Sequence, residues 1–311
     1  MISPRRLEKG DKVVVVSPAG RVDRAKVGSA IRMIGAWGYQ VVAGDPVFGS
    51  HFNFAAPDED RISDLQKAMD DPEVKAIFCA RGGYGSVRII DRLDFSSFAE
   101  HPKWIIGFSD ITVFHSHIHT NFGIETIHGP MPNTFGGDTS ETDAIAKLRA
   151  LLSGKPLSYT LATANHNRNG EGEGILVGGN LSILCSLTGS RSDIDTRGKI
   201  LFVEEVGENL YRIDRMMWTL KRAGKLKGLA GFIAGGFTEM KDNKDDFGQT
   251  AGEIIAEALR EYEYPVCFGF PAGHQQENFP LILGRKVRLG VAGSVKLEFA
   301  GAEKGNLTVS R

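Results

Sequence analysis

The first half of the chain alternates short, nearly continuous apolar runs with stretches of helical periodicity, and this alternation restricts the fold more than any other feature. The apolar runs are rich in β-branched residues, as strands covered on both faces require. They are 12–17 (KVVVVS), 39–43 (YQVVA), 75–80 (KAIFCA) and 103–108 (KWIIGF). Strand, helix, strand, helix in this order predicts an α/β domain built on a parallel sheet.

Helical patterns lie between these runs. Asp23 is placed to cap a helix that continues through Trp37. Pro57 opens a second helix that runs through Met69, and Leu65 lies one turn before Met69 on its predicted buried face.

A polar, glycine-rich stretch divides the chain. Residues 154–173 (GKPLSYTLATANHNRNGEGE) have no sustained period, and we expect an exposed connection there between a domain of residues 1–153 and a domain of residues 174–311. In the second domain, strand-like runs occur at 174–177, 199–203, 230–234 and 265–268, and helical patterns at 211–222 and 250–262. The last forty residues have the pattern of short paired strands.

Length and charge favour a globular protein that acts on a small molecule or a peptide. A chain of 311 residues that is 41% apolar can bury a large core. Lys and Arg number 37 against 38 for Asp and Glu, so no electrostatic reason exists to expect nucleic acid or an anionic membrane as a partner. The apolar block 13–16 is too short for a signal-peptide core or a membrane span, and we therefore expect a cytoplasmic protein.

The three cysteines predict neither a disulfide framework nor a metal site. Cys79, Cys185 and Cys267 are widely spaced, odd in number and without a CxxC pair. We expect all three to be small buried hydrophobic residues.

Ser109, in the run GFSD, directly follows an apolar run and precedes a helical pattern at 112–121. Strand, sharp turn and helix hold the central side chain clear of the backbone at the carboxyl end of a sheet, where a hydroxyl can reach substrate. Ile111 stands where the G-x-S-x-G elbow has its second glycine, so that motif is incomplete. Either Ser109 or Asp110 would also serve as an ordinary helix cap. From the residues around Ser109 alone, the two interpretations, a catalytic nucleophile and a helix cap, are equally supported.

A serine nucleophile needs a histidine base, and the chain has eight histidines. His115 and His119 share one helix face at a metal-like spacing, but no third ligand is apparent, and buried helix positions are favoured over zinc. His128 ends a predicted strand and stays open as the base. His274 lies in the polar, turn-rich loop PAGHQQENFP, and catalytic groups concentrate in such loops.

Two adjacent carboxylates could orient the base. Glu204 and Glu205 follow an apolar run, at the carboxyl end of a predicted strand, although strands often simply end in charge. Ser109, Glu204 and His274 would then follow the nucleophile, acid and base order of α/β-hydrolases.

Backbone amides could complete such a site. The amide of Asp110 is the usual first oxyanion donor, and the loop 81–85 (RGGYG) offers a second after the third strand. The same loop could cradle a phosphate, but it lacks both the Walker ending and the GxGxxG spacing, which makes nucleotide binding the weaker alternative.

Eight motifs occur in order along nearly the whole chain. They are VSPAG at 16–20, ARGGYG at 80–85, GFSDIT at 107–112, HGPM at 128–131, GGNL at 178–181, LFVEEVGE at 201–208, YRIDRM at 211–216 and GHQQEN at 273–278. In this set the chain resembles the LD-carboxypeptidases, also called muramoyltetrapeptide carboxypeptidases, peptidase family S66.

The resemblance implies a catalytic triad and a two-domain fold. Ser109 would be the nucleophile, Glu204 the acid and His274 the base, with Glu205 a neighbouring alternative for the acid. The implied fold is a Rossmann-like amino-terminal domain that carries Ser109 and a smaller β-rich, α+β carboxyl-terminal domain that carries the acid and the base. The triad would therefore lie in a cleft between domains, where ligand sites often occur.

The resemblance also implies an activity. A cytoplasmic enzyme of this family removes the terminal D-alanine from murein tetrapeptide or a related muropeptide, through an acyl-enzyme and with no metal or cofactor. The amides of Asp110 and Gly83 would bind the oxyanion, and Arg81, Asn180 and Arg212 are candidate partners for substrate carboxylates. A homodimer is implied by the family likeness alone.

Two alternatives stay open at this stage. A microcin-immunity type of peptidase resembles the same enzymes but hydrolyses an amide next to a nucleotide-like toxin moiety. It should carry an aromatic platform, and none of Trp37, Trp104 and Trp218 is clearly placed for one. The alternative of another class is a non-catalytic α/β binding protein in which Ser109 is only a helix cap.

Overall fold

The computed structural model describes residues 1–135, 141–242 and 244–301. Its strands are β1 Lys12–Val16, β2 Gln40–Ala43, β3 Val74–Cys79, β4 Trp104–Gly107, β5 Thr126–His128, β6 Ser158–Leu161, β7 Gly170–Asn180, β8 Ile200–Val206, β9 Gly231–Thr238, β10 Val266–Cys267, β11 Leu281–Leu283, β12 Lys286–Val291 and β13 Val295–Phe299. Its α-helices are α1 Arg24–Ala36, α2 Asp58–Asp70, α3 Ser86–Ile89, α4 Ser96–Glu100, α5 Thr112–Phe122, α6 Asp143–Leu152, α7 Leu181–Leu187, α8 Leu210–Arg222 and α9 Ala251–Ala258.

The first sheet has six strands in the order β11-β5-β4-β3-β1-β2. Strands β1 to β5 pair in parallel, which confirms the α/β prediction for the first half of the chain. Both faces of this sheet are covered, and consecutive side chains of β1 therefore enter two different cores. Val13 and Val15 belong to one core, whereas Val14 and Val16 belong to the other. Burial on both sides explains the nearly continuous apolar run.

The second sheet has seven strands in the order β10-β9-β8-β7-β12-β13-β6. Strands β7 to β10 are parallel, and β12, β13 and β6 extend the sheet by antiparallel pairing. Helices α7, α8 and α9 contribute buried residues such as Leu181, Met217 and Ile254 to one core with this sheet. A parallel sheet followed by a second, β-rich unit is the predicted fold class, and the structure confirms it.

The stretch 154–173 is more ordered than the predicted exposed connection. It contains β6, which pairs with β13, and the start of β7 at Gly170. The Tyr159 side chain is buried, and its hydroxyl donates to the Pro280 carbonyl at 2.6 Å. A single inward-facing aromatic residue in a polar strand gives too weak a period to be seen in sequence. Helix α7 was likewise not predicted, whereas β11, β12 and β13 lie in the last forty residues, where short paired strands were predicted.

Helix termini follow the predicted signals. The Asp23 side chain caps α1 by accepting from the amides of Ala25 and Lys26. Helix α5 ends at Gly123, whose φ of 62° is left-handed. Within the described ranges, no helix is both long and apolar enough to cross a membrane.

Candidate active site

Ser109 occupies a strained turn between β4 and α5. It opens a short 3-10 helix, Ser109–Ile111, and has a φ of 63°, which is left-handed and uncommon for a residue with a side chain. A side chain at Gly107 would meet Ile111 Cγ1 at 2.9 Å, so the turn also requires a glycine there. The predicted strand, sharp turn and helix are confirmed, and the serine is partly exposed.

Neither side chain at this turn caps the helix that follows. The N-cap position of α5 is Ile111, and no side chain bonds the amides there. The Asp110 carboxylate is buried and accepts from the Ser86 amide at 2.8 Å, at the start of α3. Helix capping of α5 therefore does not explain why Ser109 or Asp110 stands at this turn.

The glycine loop 81–85 (RGGYG) lies directly against the turn at Ser109. A methyl group at Gly82 would lie 2.8 Å from Ser109 Cβ and 3.0 Å from its Oγ, so only glycine permits this approach. The Gly82 carbonyl accepts from the Gly20 amide at 3.0 Å, which ties the loop to the segment after β1. Gly83 is exposed and has a φ of 102°. Among the described residues, the amides of Gly83 and Asp110 donate to no other protein group, which leaves both available to a ligand.

Glu204 and His274 form a buried pair contributed by the second sheet. Glu204 lies in β8 with no solvent exposure, and its Oε2 accepts from His274 Nδ1 at 2.7 Å and from the His274 amide at 3.1 Å. Because an ionised carboxylate can only accept, Nδ1 carries the proton and Nε2 is the free, basic nitrogen. This is the orientation that a general base requires.

The loop around His274 is held from several sides. The Gly273 amide donates to Asn278 Oδ1 at 2.7 Å, and the Thr238 hydroxyl donates to the His274 carbonyl. Gly273 has a φ of 101°, and a methyl group there would lie 2.6 Å from Glu204 Oε2. Glu204 therefore packs against backbone that only glycine can provide.

Phe108 connects the serine turn to the histidine. Its ring centroid lies 4.8 Å from that of His274, at an interplanar angle of 61°. Within the described ranges, Ser109 and His274 share no direct hydrogen bond. Catalytic hydrogen bonds are often formed only when substrate is present.

Opposing effects act on the protonation of His274. Burial is the largest single effect and disfavours the imidazolium, but the hydrogen bond and the charge of Glu204, with smaller contributions from Glu205 and Glu239, together outweigh it, and the pKa of His274 is raised above 6.5. Glu204 therefore makes the imidazole a stronger base.

Glu205 has a different environment from Glu204. It accepts from Asn180 Nδ2 at 2.9 Å and from the Ser182 amide at 2.8 Å. The other end of the Asn180 side chain caps α7 by accepting from the Ile183 amide. Asn180 is buried, and both ends of its side chain have partners within the protein.

The two arginines predicted to bind substrate are both exposed. Arg81 begins the glycine loop, and its Nη1 donates to the Arg21 carbonyl at 2.6 Å. Arg212 lies in the first turn of α8, where it is 3.4 Å from the Glu208 carboxylate. Arg81 is one residue from Gly82 and hence close to Ser109, whereas no described contact joins Arg212 to the serine turn.

Of the other histidines considered from sequence, His115 and His128 are buried, and His119 is half-buried. His115 bonds Thr126 Oγ1 at 2.8 Å and the Gly107 carbonyl at 2.9 Å, and burial lowers its pKa to about 4. His128 packs against Phe202 at 4.9 Å between ring centroids, and neither of its nitrogens has a partner among the described residues. His274 is the histidine that is paired with a carboxylate. Nowhere in the described ranges do three His, Cys, Asp or Glu side chains gather to hold a metal ion.

Arg61 is a residue that the sequence analysis missed. Its side chain is fully buried in α2, and it donates to the Gly85 carbonyl at 3.1 Å and to the Pro18 carbonyl. The signal was present in the sequence, because Arg61 precedes Leu65 and Met69 at helical spacing on the face predicted to be buried.

Comparisons with known proteins find relatives over nearly the whole chain. Sequence models of the LD-carboxypeptidase family match the chain twice, the N-terminal domain at residues 13–129 and the C-terminal domain at residues 173–289. A protein of Bacillus subtilis (strain 168) named "Probable murein peptide carboxypeptidase" is 36% identical over 307 residues, which cover 98% of this chain and 96% of the relative. The murein tetrapeptide carboxypeptidase of Pseudomonas aeruginosa is 29% identical over 279 residues, which cover 86% of this chain and 89% of that protein.

Solved structures give the same fold. Muramoyltetrapeptide carboxypeptidase from Oxalobacter formigenes matches with a TM-score of 0.83 and 28% identity, over 93% of this chain and 98% of that one. The microcin C7 self immunity protein MccF matches with a TM-score of 0.85 and 20% identity, over 97% of this chain and 99% of that one. At 20% identity the second likeness concerns the fold alone.

Proposed function

Because this chain belongs to the LD-carboxypeptidase family and is therefore a peptidase, we propose that it hydrolyses murein tetrapeptide and releases the terminal D-alanine. The scissile bond lies between the L-centre of the diamino acid and D-alanine. The observation that carries the proposal is the Glu204–His274 pair, whose free Nε2 belongs to a ring packed against Phe108, next to Ser109.

The proposed first half-reaction forms an acyl-enzyme. Ser109 Oγ attacks the carbonyl carbon of the scissile bond while His274 Nε2 takes the hydroxyl proton. Glu204 keeps Nδ1 protonated and stabilises the imidazolium that forms. The amides of Asp110 and Gly83 donate to the oxyanion. When the tetrahedral intermediate collapses, His274 returns the proton to the departing amine of D-alanine.

The second half-reaction reverses these roles. A water molecule takes the place of D-alanine, His274 Nε2 removes its proton, and the resulting hydroxide attacks the ester on Ser109. Collapse returns the proton to Ser109 Oγ and releases the tripeptide. All the groups in this scheme belong to the chain itself.

The substrate's terminal carboxylate needs a cationic or amide partner. Arg81 is the better placed of the predicted candidates, because it is exposed and adjoins the loop that touches Ser109. Arg212 is exposed on the second domain. Guanidinium groups bind carboxylates with two parallel hydrogen bonds, which also fixes the orientation of the substrate.

The proposed setting follows from the chemistry of the product. Tripeptide and free D-alanine are breakdown products of murein, and the proposal places the enzyme in murein recycling in the cytoplasm. As in the family likeness above, we include a homodimer in the proposal, which sedimentation of the purified protein tests directly.

The decisive assay incubates the purified protein with L-Ala-D-Glu-diamino acid-D-Ala and measures free D-alanine. Ser109→Ala should abolish release, whereas Ser186→Ala, which changes an exposed serine of α7, should not. A fluorophosphonate should label the wild type at Ser109 only. If the wild type does not release D-alanine, the proposed substrate is wrong. If Ser109 of the wild type is also not labelled by the fluorophosphonate, the proposed serine mechanism is wrong as well.

Two further measurements on the purified protein test the two alternative functions. Release of the amino acid from an aminoacyl sulfamoyl adenosine, without turnover of tetrapeptide, would identify a microcin-immunity type of activity. Ligand binding without labelling of Ser109 would identify a binding protein.

A further inference from the structure

Arg61 places a charge on the apolar face of a helix. The buried positions of α2 are Arg61, Leu65, Ala68 and Met69, and the Arg61 side chain has no solvent exposure. A guanidinium is tolerated in such a place only when its N–H groups have partners. The partners of Arg61 therefore indicate what the charge is for.

Three of its four partners come from three different loops, and the fourth, Asp58, is the first residue of α2. Nε donates to the Ala56 carbonyl at 3.2 Å, before α2. Nη1 donates to the Pro18 carbonyl after β1 and to the Gly85 carbonyl after β3, the latter at 3.1 Å. Nη2 pairs with the Asp58 carboxylate. Arg61 thus joins the two loops that follow β1 and β3, and both lie at the edge of the sheet that carries Ser109.

The glycine loop needs such external ties. It contains no regular secondary structure, and Gly83 and Gly85 have φ values of 102° and 139°. These conformations are not maintained by local preference in a flexible glycine segment. The Asp110 carboxylate accepts from the Ser86 amide, the next residue after Gly85, at 2.8 Å. Residues 85–86 are therefore held from α2 by Arg61 and from the nucleophile turn by Asp110.

We propose that Arg61 is a positioning residue that, together with the Asp110 side chain, holds the glycine loop so that the Gly83 amide faces the reacting carbonyl. This inference rests on the proposed function, because it assigns a role to the loop only if Ser109 is the nucleophile. Displacement of one oxyanion donor costs on the order of 10²–10³ in rate. A loosened loop keeps the donor but places it less well.

The planar guanidinium is required for this task. Its three nitrogens donate to four acceptors, which belong to Ala56, Pro18, Gly85 and Asp58. A lysine ammonium has three donors around one atom and cannot reach acceptors spread along a fork. Arg61→Lys therefore preserves the charge and removes the clamp.

The test compares Arg61→Lys with Arg92→Lys. Arg92 is the matched control, since it is an exposed arginine whose partner is Glu59. We expect Arg61→Lys to lower kcat by roughly 10- to 100-fold per folded molecule, with KM within about threefold, and to slow fluorophosphonate labelling of Ser109 by a similar factor. A purely structural arginine would change thermal stability but leave kcat and the labelling rate of the folded fraction at the level of Arg92→Lys, and that result would overturn the inference.

A second pair of variants tests the other end of the clamp, and it decides the matter if Arg61→Lys does not fold. Asp110→Asn keeps an oxygen that can accept from the Ser86 amide, whereas Asp110→Ala does not. We expect Asp110→Ala to label at least tenfold more slowly than Asp110→Asn. Equal labelling rates for the two Asp110 variants would overturn the inference. If the wild type still labels at Ser109, the proposed function is not affected by that result. A wild type that does not label overturns both.

Discussion

Glu204 holds His274 at two points, the ring Nδ1 at 2.7 Å and the backbone amide at 3.1 Å, through a single carboxylate oxygen. The ring is thereby fixed relative to its own backbone, and one tautomer is selected. Glu204 also changes the proton affinity of the ring: burial is the largest single effect and lowers the pKa of His274, but the hydrogen bond and charge of Glu204, together with the charges of Glu205 and Glu239, outweigh it and raise that pKa.

This pair predicts the pH dependence of the reaction. His274 must be neutral to act as a base, so kcat/KM should fall toward acid pH with a midpoint above the ordinary histidine value of about 6.5. In Glu204→Gln the negative charge that favours the imidazolium is lost, and the midpoint should move to lower pH. A pH series of kcat/KM for both proteins measures the shift. An unchanged midpoint would show that His274 does not set the acid limb.

The two neighbouring glutamates should behave differently. Glu204→Gln should lower kcat by roughly 10²–10⁴-fold with little loss of stability, because it disturbs the tautomer of the base. Glu205→Gln should keep kcat within about threefold and lower the thermal midpoint, because Glu205 serves Asn180 and the start of α7. Steady-state kinetics and thermal unfolding of the two variants check this. The reverse pattern would assign the acid to Glu205.

Gly273→Ala should damage the site without touching a reacting group. The added methyl would lie 2.6 Å from Glu204 Oε2 in a backbone conformation with φ 101°, so the loop must shift. We expect kcat to fall about tenfold or more. Gly293→Ala is the control, since a methyl there meets nothing within 4 Å. Equal kinetics for the two alanine variants would contradict the tight seating of Glu204.

The left-handed turn at Ser109 should be measurable as strain. Ser109→Ala and Ser109→Gly both remove the nucleophile, but only glycine adopts a φ of 63° without cost. We expect Ser109→Gly to be more stable than Ser109→Ala by roughly 0.5–1 kcal/mol, after allowance for the larger conformational entropy of glycine in the unfolded chain. Denaturant unfolding of the two inactive proteins gives this difference. An alanine variant that is the more stable of the two would argue against strain.

The buried carboxyl group of Asp64, which is not part of the proposed triad, should lower the free energy of unfolding in a pH-dependent way. Burial raises its pKa to about 6, Lys67 opposes the shift and Asp45 adds to it. An acid whose pKa is raised by folding destabilises the folded state progressively as pH rises from about 3.9 through 6. Asp64→Asn should therefore raise stability by roughly 1–3 kcal/mol at pH 7.5 and by less at pH 5. Thermal midpoints at the two pH values check the sign, and a variant less stable than wild type at pH 7.5 would refute it.

Much of the fold was predictable because its signals are local. Continuous apolar runs mark β1 to β4, and residues such as Asp23 and Gly123 mark helix ends. The pairing of β11 with β5 and the role of Tyr159 were not predictable in this way. Both depend on pairing across more than a hundred residues, which leaves no period in a short window.

Some residues of the candidate site were likewise predictable from local signals, and others were not. The turn at Ser109 could be predicted from strand and helix signals, but its own neighbourhood left nucleophile and cap equally weighted. The motif pattern of the family connected it to Glu204 and His274, which no local signal could do. Arg61 was missed because a charged residue in a helix is usually solvated, and its burial depends on carbonyls from distant loops.

Strand β11 returns from the second half of the chain to pair with β5 at the edge of the first sheet, a few residues after His274. The ribosome must therefore have synthesised residues 281–283 before the first sheet can be completed. A fragment that stops after the first domain lacks its own edge strand and exposes β5 to pairing with other chains. His274 lies on a segment that belongs to the second sheet at β10 and to the first sheet at β11. The two halves are therefore connected at this loop, and they cannot separate as hinged bodies unless β11 loses its pairing with β5.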